Sequence, residues 1–296
     1  MNSNPHIHAD DFGLTKSINR AILDLTESNY LQGASILVNG NAVESAIKQW
    51  KRKPNFSLCL HLCLTEGLPV SNPKNIPQLI NKNGLLSLSF GILLIYSLLP
   101  RNNILRRKLE KQLRHEIKEQ IIIYKKLTGN KTISIDGHQH IHLIPIVLDI
   151  ILDISTEYKI DWIRTTKEKF ELNLFWDNWK SILLSTRIIK WLILQILSYL
   201  SKKNIEKSNI STNVSFSGIL FTGHMSKTVI SNAINQLNRV KYSLPKTKPV
   251  LLIHPSEVLN EIELKSGLLN FPISRNFVLS KWRQKELNSI KNIFLK

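Results

Sequence analysis

The segment Asp136-Gly137-His138-Gln139-His140-Ile141-His142 puts one carboxylate and three imidazoles into seven residues of a 296-residue chain that holds only nine histidines. Along an extended strand, alternation would place His138, His140 and His142 on one face with Asp136 beside them. Neutral imidazoles converging in this way suit a divalent metal better than an apolar core. Further candidate groups end three other segments: the acid pair Asp10-Asp11, His61 and His254. In a parallel α/β barrel such residues gather at the C-terminal rim of the strands, where catalytic groups sit. One carboxylate with two imidazoles then makes a facial site with positions open to water and substrate. The second acid is left to act as a base, and His254 as an acid.

The elements that must carry these groups follow from periodicity. Residues 6–13, HIHADDFG, form a short polar strand that opens into a loop at Gly13, and a helix over 17–28 follows with Ile18, Ala21, Ile22 and Leu25 at helical spacing. The run 34–38 reads as a strand ending in the turn Asn39-Gly40-Asn41, and a second helix runs through Ile47. Over 57–64 the period-2 pattern sets Cys59, His61 and Cys63 opposite four leucines. Their i, i+2, i+4 spacing lacks the paired loops of a zinc site, so the cysteines read as small buried residues. The uncharged stretch 83–100 reads as buried or interfacial, because its serines and glycines weaken a membrane span. An amphipathic helix over 103–127 carries Leu105, Leu109, Leu113, Ile117, Ile121 and Tyr124 along one stripe and stops at Gly129.

After the histidine segment come a helix over 143–154, a strand at 162–165 that includes Arg164, and a long apolar segment over 170–203 interleaved with basic residues. That last segment reads as a core helix, a lid or a membrane-surface helix. A strand at 218–221, a helix through Leu237 and a strand at 250–253 complete the chain. Strand–helix alternation is the α/β rhythm, and no repeat or low-complexity linker interrupts it. One domain over 1–296 is expected, with apolar helical insertions at about 83–100 and 170–203.

The formal charge is +18, but it is scattered and accompanied by abundant Asn and Ile, without an aromatic-interleaved basic patch. Nucleic acid is therefore excluded as the expected partner. Two cysteines on one apolar run do not make a disulfide scaffold, and the first residues lack the pattern of a secretory signal. A cytoplasmic protein is expected, with the apolar segments and basic charge allowing a peripheral place on the inner membrane face.

HADDFG at 8–13, LHLCLTEG at 60–67, DGHQHIH at 136–142, IRTTKE at 163–168 and LLIHPSE at 251–257 together resemble the successive motifs of the YdjC-like carbohydrate deacetylases, the ChbG/HpnK group. The resemblance implies a distorted (β/α) TIM-like barrel that binds one divalent metal and hydrolyses the N-acetyl group of an amino sugar, in an oligosaccharide or a lipid-linked glycoconjugate. Carried over by position, it implies Asp11, His61 and His138 as metal ligands and Asp10 as base. Mg2+ is the metal the family suggests, and two imidazoles suit Zn2+ as well. Arg164 is expected to orient Asp10 or to hold a substrate oxygen, His140 to contact substrate, and Asp136 and His142 to support the ligands. His8 stands where the family often has Asn, Cys63 where a polar residue is common, and the frequent glycine after His-Pro is missing; these departures touch substrate contacts more than metal ligation. A homodimer is left open. The contrasting reading is a catalytically inactive metal-binding barrel that serves as a carbohydrate- or membrane-surface binding module.

Overall fold

The computed structural model describes residues 4–52, 56–169, 187–264 and 268–294. The part of the expected apolar insertion at 170–186 lies outside the described residues. Seven strands make one sheet: β1 (His6–Phe12), β2 (Gly33–Ile36), β3 (Ser57–Leu62), β4 (Ile133–Gly137), β5 (Ile160–Ile163), β6 (Phe216–Ser217) and β7 (Val250–Ile253). Their order is β5-β4-β3-β2-β1-β7-β6, and every pairing is parallel. The sheet curls, and the segments after β5 and before β6 meet: Ile163 N–H donates to the Ser211 carbonyl and Phe216 N–H to the Lys167 carbonyl. The result is an incomplete, distorted (β/α) barrel surrounded by helices, as the sequence led one to expect.

A parallel sheet covered by helices needs strands that are apolar on both faces. The short polar β1 meets that demand by pairing its polar groups. It lies centrally between β2 and β7, and His8 inside the barrel shares a 2.6 Å hydrogen bond with Ser35 of β2. Parallel strands also bring their C-terminal ends to one side. The register sets His61 of β3 level with Asp136 of β4, and Ala9 of β1 level with Ile253 of β7.

The long helix Ile104–Thr128 follows the expected stripe: Leu109, Leu113, Ile117, Ile121 and Tyr124 are buried, while Leu105 at its first turn is exposed. Asn103 caps the start by accepting from the N–H groups of Leu105 and Arg106, and Gly129 closes the end at φ 75°. The buried face also carries polar groups with work to do. Glu116 accepts the N–H groups of Val70 and Ser71, and Gln120 bonds both the N–H and the carbonyl of Cys63, which anchors the chain leaving β3.

Two strand expectations are corrected. Residues 218–221 are apolar but are not a strand; β6 is the preceding pair Phe216–Ser217. The carboxylate of Glu168 accepts the N–H groups of Gly218, Ile219 and Leu220 and so binds the backbone groups that a ladder would use. The histidine segment is not extended either. β4 ends at Gly137, and His138–Leu143 turn as a 3-10 helix with Gln139 at φ 56° and His140 at φ 63°. Gly137 packs closely there, since a Cβ would lie 3.0 Å from Nδ1 of His142. The three histidines are therefore not carried along one strand face: His138 and His140 line one cavity, while His142 turns to the backbone of Arg164.

The uncharged stretch 83–100 contains the helix Phe90–Leu98, which buries only Leu93 and exposes Ile92, Ile95 and Leu98. The helix is therefore largely exposed rather than buried. Residues 187–203 belong to the helix Arg187–Lys207. Among the described residues, no helix is long and apolar enough to cross a membrane.

Candidate active site

Asp10 and Asp11 are neighbours on β1, so a regular strand would point them to opposite faces. The pairing register shifts between Ala9 and Phe12, and Asp11 adopts φ 70°. That irregularity turns both carboxylates toward the rim. Asp11 Oδ1 lies 3.7 Å from His61 Nε2 and 3.4 Å from His138 Nδ1, and its other oxygen accepts from Arg283 Nη1 at 3.0 Å. Asp11, His61 and His138 each offer one ligand atom, and those atoms lie within 4.8 Å of one another.

The orientation of each imidazole has a cause. His61 Nδ1 is bound to Asp136 Oδ1 at 2.6 Å, which leaves Nε2 facing Asp11. His138 Nε2 is bound to Glu66 Oε1 at 2.8 Å and to Ser274 Oγ at 3.0 Å, which leaves Nδ1 facing Asp11. A carboxylate behind each histidine and a free nitrogen in front is how protein metal sites fix ligand tautomers. Among the described residues, two other buried carboxylate-containing groups, Asp10–His61–Asp136 and His8–Cys59–Asp136, have the spacing of a metal site. Both rely on Asp136, whose oxygens are already engaged by His61, Ser35 and the Arg164 cation. Only Asp11, His61 and His138 also share the wall of one cavity, so that set fits an ion best.

Beneath the cluster lies Arg164, fully buried. It grips Asp10 through two parallel hydrogen bonds of 2.9 Å and reaches Asp136 Oδ2 at 2.5 Å. Of the two places left open for it, the guanidinium is on Asp10, and it does not line the cavity. Its carbonyl accepts from His142 Nε2 at 2.9 Å, so His142 supports the backbone that carries Arg164. Burial alone would raise the Asp136 pKa, but Arg164 and His61 outweigh it and hold the carboxyl well below its usual range. Burial is outweighed likewise at Asp11, by Arg283 and His138, and at His138, where Asp11 and Glu66 raise the pKa.

Asp10, Asp11, His61, His138, His140 and His254 all face one cavity of about 380 Å³, closed by Ser274 and Phe277 and rimmed by Arg187 and Lys190. A basic surface groove is larger, about 560 Å³, but holds none of this chemistry. His254 follows β7; its N–H donates to Glu286, its carbonyl accepts from Arg283, and its ring packs edge-on to Phe277. Burial lowers its pKa to about 4 against the pull of Asp11 and Asp10. That shift favours the neutral imidazole in the resting site. His140 is buried at the cavity wall beside Phe216, and burial with Arg164 and Lys190 keeps it neutral.

Glu66, Ser274, Arg283 and Glu286 were not singled out from the sequence. Glu66 lies within a motif that was. Arg283, Glu286, Leu287 and Ile290 are buried at i, i+3, i+4 and i+7 of the helix Lys281–Phe294, so two charges on an apolar stripe were the available signal.

The fold is thus a partial α/β barrel with a buried carboxylate–imidazole cluster at its strand ends, an arrangement that could hold an ion at the rim. The chain belongs to the YdjC-like protein family, whose model matches residues 6–292. It is 30% identical over 167 residues to a carbohydrate deacetylase of Brevibacillus brevis, covering 55% of this chain and 61% of that one. It is 31% identical over 154 residues to a carbohydrate deacetylase of Oceanobacillus iheyensis, covering 52% and 61%. The chain thus spans about three-fifths of the length of these relatives. A crystal structure of a candidate cellobiose-phosphate cleavage protein from Enterococcus faecalis shares the fold, with a TM-score of 0.60, 16% identity and coverage of 98% of this chain and 95% of that one.

Proposed function

We propose that this chain hydrolyses the N-acetyl group of an acetylated amino sugar with the help of one divalent metal ion. The observation that carries this reading is the convergence of Asp11, His61 and His138 with Asp10 and His254 on one cavity. Asp11, His61 and His138 would hold the ion; their two nitrogens and one oxygen accommodate the Mg2+ that the resemblance implies and suit Zn2+ at least as well. An ion there lowers the pKa of water and polarises an amide carbonyl. Relatives named carbohydrate deacetylases support an acetylated sugar as the substrate.

The protein's own groups then manage the proton. Asp10, fixed by the Arg164 fork with Oδ2 3.9 Å from His61 Nε2, stands beside the ligand set as the acceptor of a proton from the attacking water. The departing amine needs one proton, the same number that water gives up. His254 is neutral in the resting site and so serves the amine only after gaining that proton within the cycle. His140 and Ser274, which line the cavity, would contact the sugar.

A pH profile separates this from a charged His254 waiting as acid. With its pKa near 4 rather than 6.5, His254 adds no alkaline limb, so kcat/KM at saturating metal should show no loss centred near 6.5 as the pH rises from about 6 to about 8. An alkaline loss of activity centred near 6.5 would overturn the assignment. Acetate release before and after chelation tests the reaction itself.

A further inference from the structure

We propose that the helices Phe90–Leu98 and Arg187–Lys207, with the first turns of Ile104–Thr128, form a face that docks on an anionic lipid bilayer and holds the mouth of the catalytic cavity against it. The proposal rests on reading that cavity as the catalytic one, and concerns what surface the enzyme works on. Ten of the nineteen exposed large apolar side chains among the described residues fall between 92 and 105 or between 189 and 200, so the exposure is concentrated rather than scattered. Tyr199 is 83% exposed, and Leu98 and Ile104 are 79% exposed.

The arrangement on Arg187–Lys207 is that of a two-faced helix. Leu194, Leu197, Ser198, Ser201 and Ile205 are buried on one side. At 100° per residue, Ile189, Leu192, Ile196, Tyr199 and Leu200 fall in a stripe about 100° wide on the other, where an ordinary soluble helix carries charge. In Phe90–Leu98 the exposed Ile92, Ile95 and Leu98 recur every third residue. The two helices are neighbours: Lys190 Nζ lies 5.9 Å from the centre of the Phe90 ring, and both pack on the helix Pro145–Asp153. Arg187 and Lys190 of the same helix line the cavity rim, so the apolar stripe begins beside the mouth.

Charge selects the occupant. Residues 90–114 and 187–207 hold eleven Lys and Arg against two Glu, and a groove that reaches across to Asn204 on the helix Arg187–Lys207 is lined by five basic residues, Arg101, Arg106, Arg107, Lys111 and Arg114, against Glu110, Asp149 and Asp153, which pair with some of them. An apolar stripe with a basic flank, on helices unable to cross a bilayer, suits lying in an anionic interface, with Tyr199 at the headgroup level. A second copy of a chain with a formal charge of +18 would bring two basic rims together across a symmetric contact, which opposes that alternative.

The test is co-sedimentation of the full chain with vesicles of phosphatidylcholine alone and of phosphatidylcholine with phosphatidylglycerol. The protein should pellet with the anionic vesicles. Ile95→Ser with Leu98→Ser, or Ile196→Ser with Tyr199→Ser, should each weaken that binding about tenfold or more while the circular dichroism spectrum is kept. Arg107→Glu with Lys108→Glu should weaken binding to the anionic vesicles and lessen its salt dependence. Absence of binding to anionic vesicles, or binding unchanged in both serine pairs, overturns the proposal. A dimer in solution that the serine pairs dissociate, with vesicles ignored, would assign the face to a second copy instead. Vesicle binding is read without turnover, so a protein that binds vesicles but releases no acetate would contradict only the catalytic reading.

Discussion

Replacing Arg164 with methionine is expected to destabilise the protein by about 3–5 kcal/mol and to abolish activity, because the change strips the partner from two buried carboxylates at once. Asp10 and Asp136 are both nearly inaccessible, and methionine fills the space without supplying charge or donors. Without the cation, the two acids lose the attraction that offsets their desolvation. Arg164→Lys keeps the charge but not the planar fork, and one ammonium cannot reproduce two parallel bonds to Asp10 together with the contact to Asp136. It should fold with an intermediate loss and remain nearly inactive, as read by the urea midpoint and by acetate release. A methionine variant with an unchanged midpoint would show that Arg164 does not hold this centre together.

The second large effect separates chemistry from metal binding. Asp10→Asn should lower kcat by about 10²–10⁴ while the purified protein keeps its metal, because Asp10 stands beside the ligand set, on Arg164, rather than within it. Arg164 retains Asp136 as a partner, so this variant should fold. His138→Ala should lose both activity and metal, with affinity falling by about 100-fold or more, since even second-shell changes cost 10–100-fold. Glu66 does not become an orphan in that variant: it keeps the Ser274 hydroxyl and the N–H groups of Ile273 and Ser274. Equal metal loss in the two variants, measured by elemental analysis after gel filtration, would contradict the division of roles.

These roles were legible to different depths. Asp10, Asp11, His61, His138 and His254 stand out in the sequence because each lies at or just beyond the end of a strand-like segment, and parallel topology carries such ends to one rim. The helix Ile104–Thr128 was legible from Asn103 to Gly129 because its caps and stripe are local properties of the chain. The turn at His138–Leu143 was not: alternate histidines mimic a strand, and nothing local announces left-handed backbone at Gln139 and His140. Residues 218–221 misled for a related reason, since the Glu168 carboxylate that binds their N–H groups arrives from some fifty residues away. Arg283 reaches Asp11 from the other end of the chain, and no periodicity foretells which charged residue of a helix turns inward to a carboxylate.

The most direct measurement is acetate release from N-acetylglucosamine oligomers by the full chain as purified, after chelation, and after Zn2+ or Mg2+ is returned. The account predicts release that chelation removes and a divalent ion restores, and that Asp10→Asn fails to recover at any metal concentration. Release unaffected by chelation, or no release from any acetylated amino sugar while an ion is bound, would contradict it.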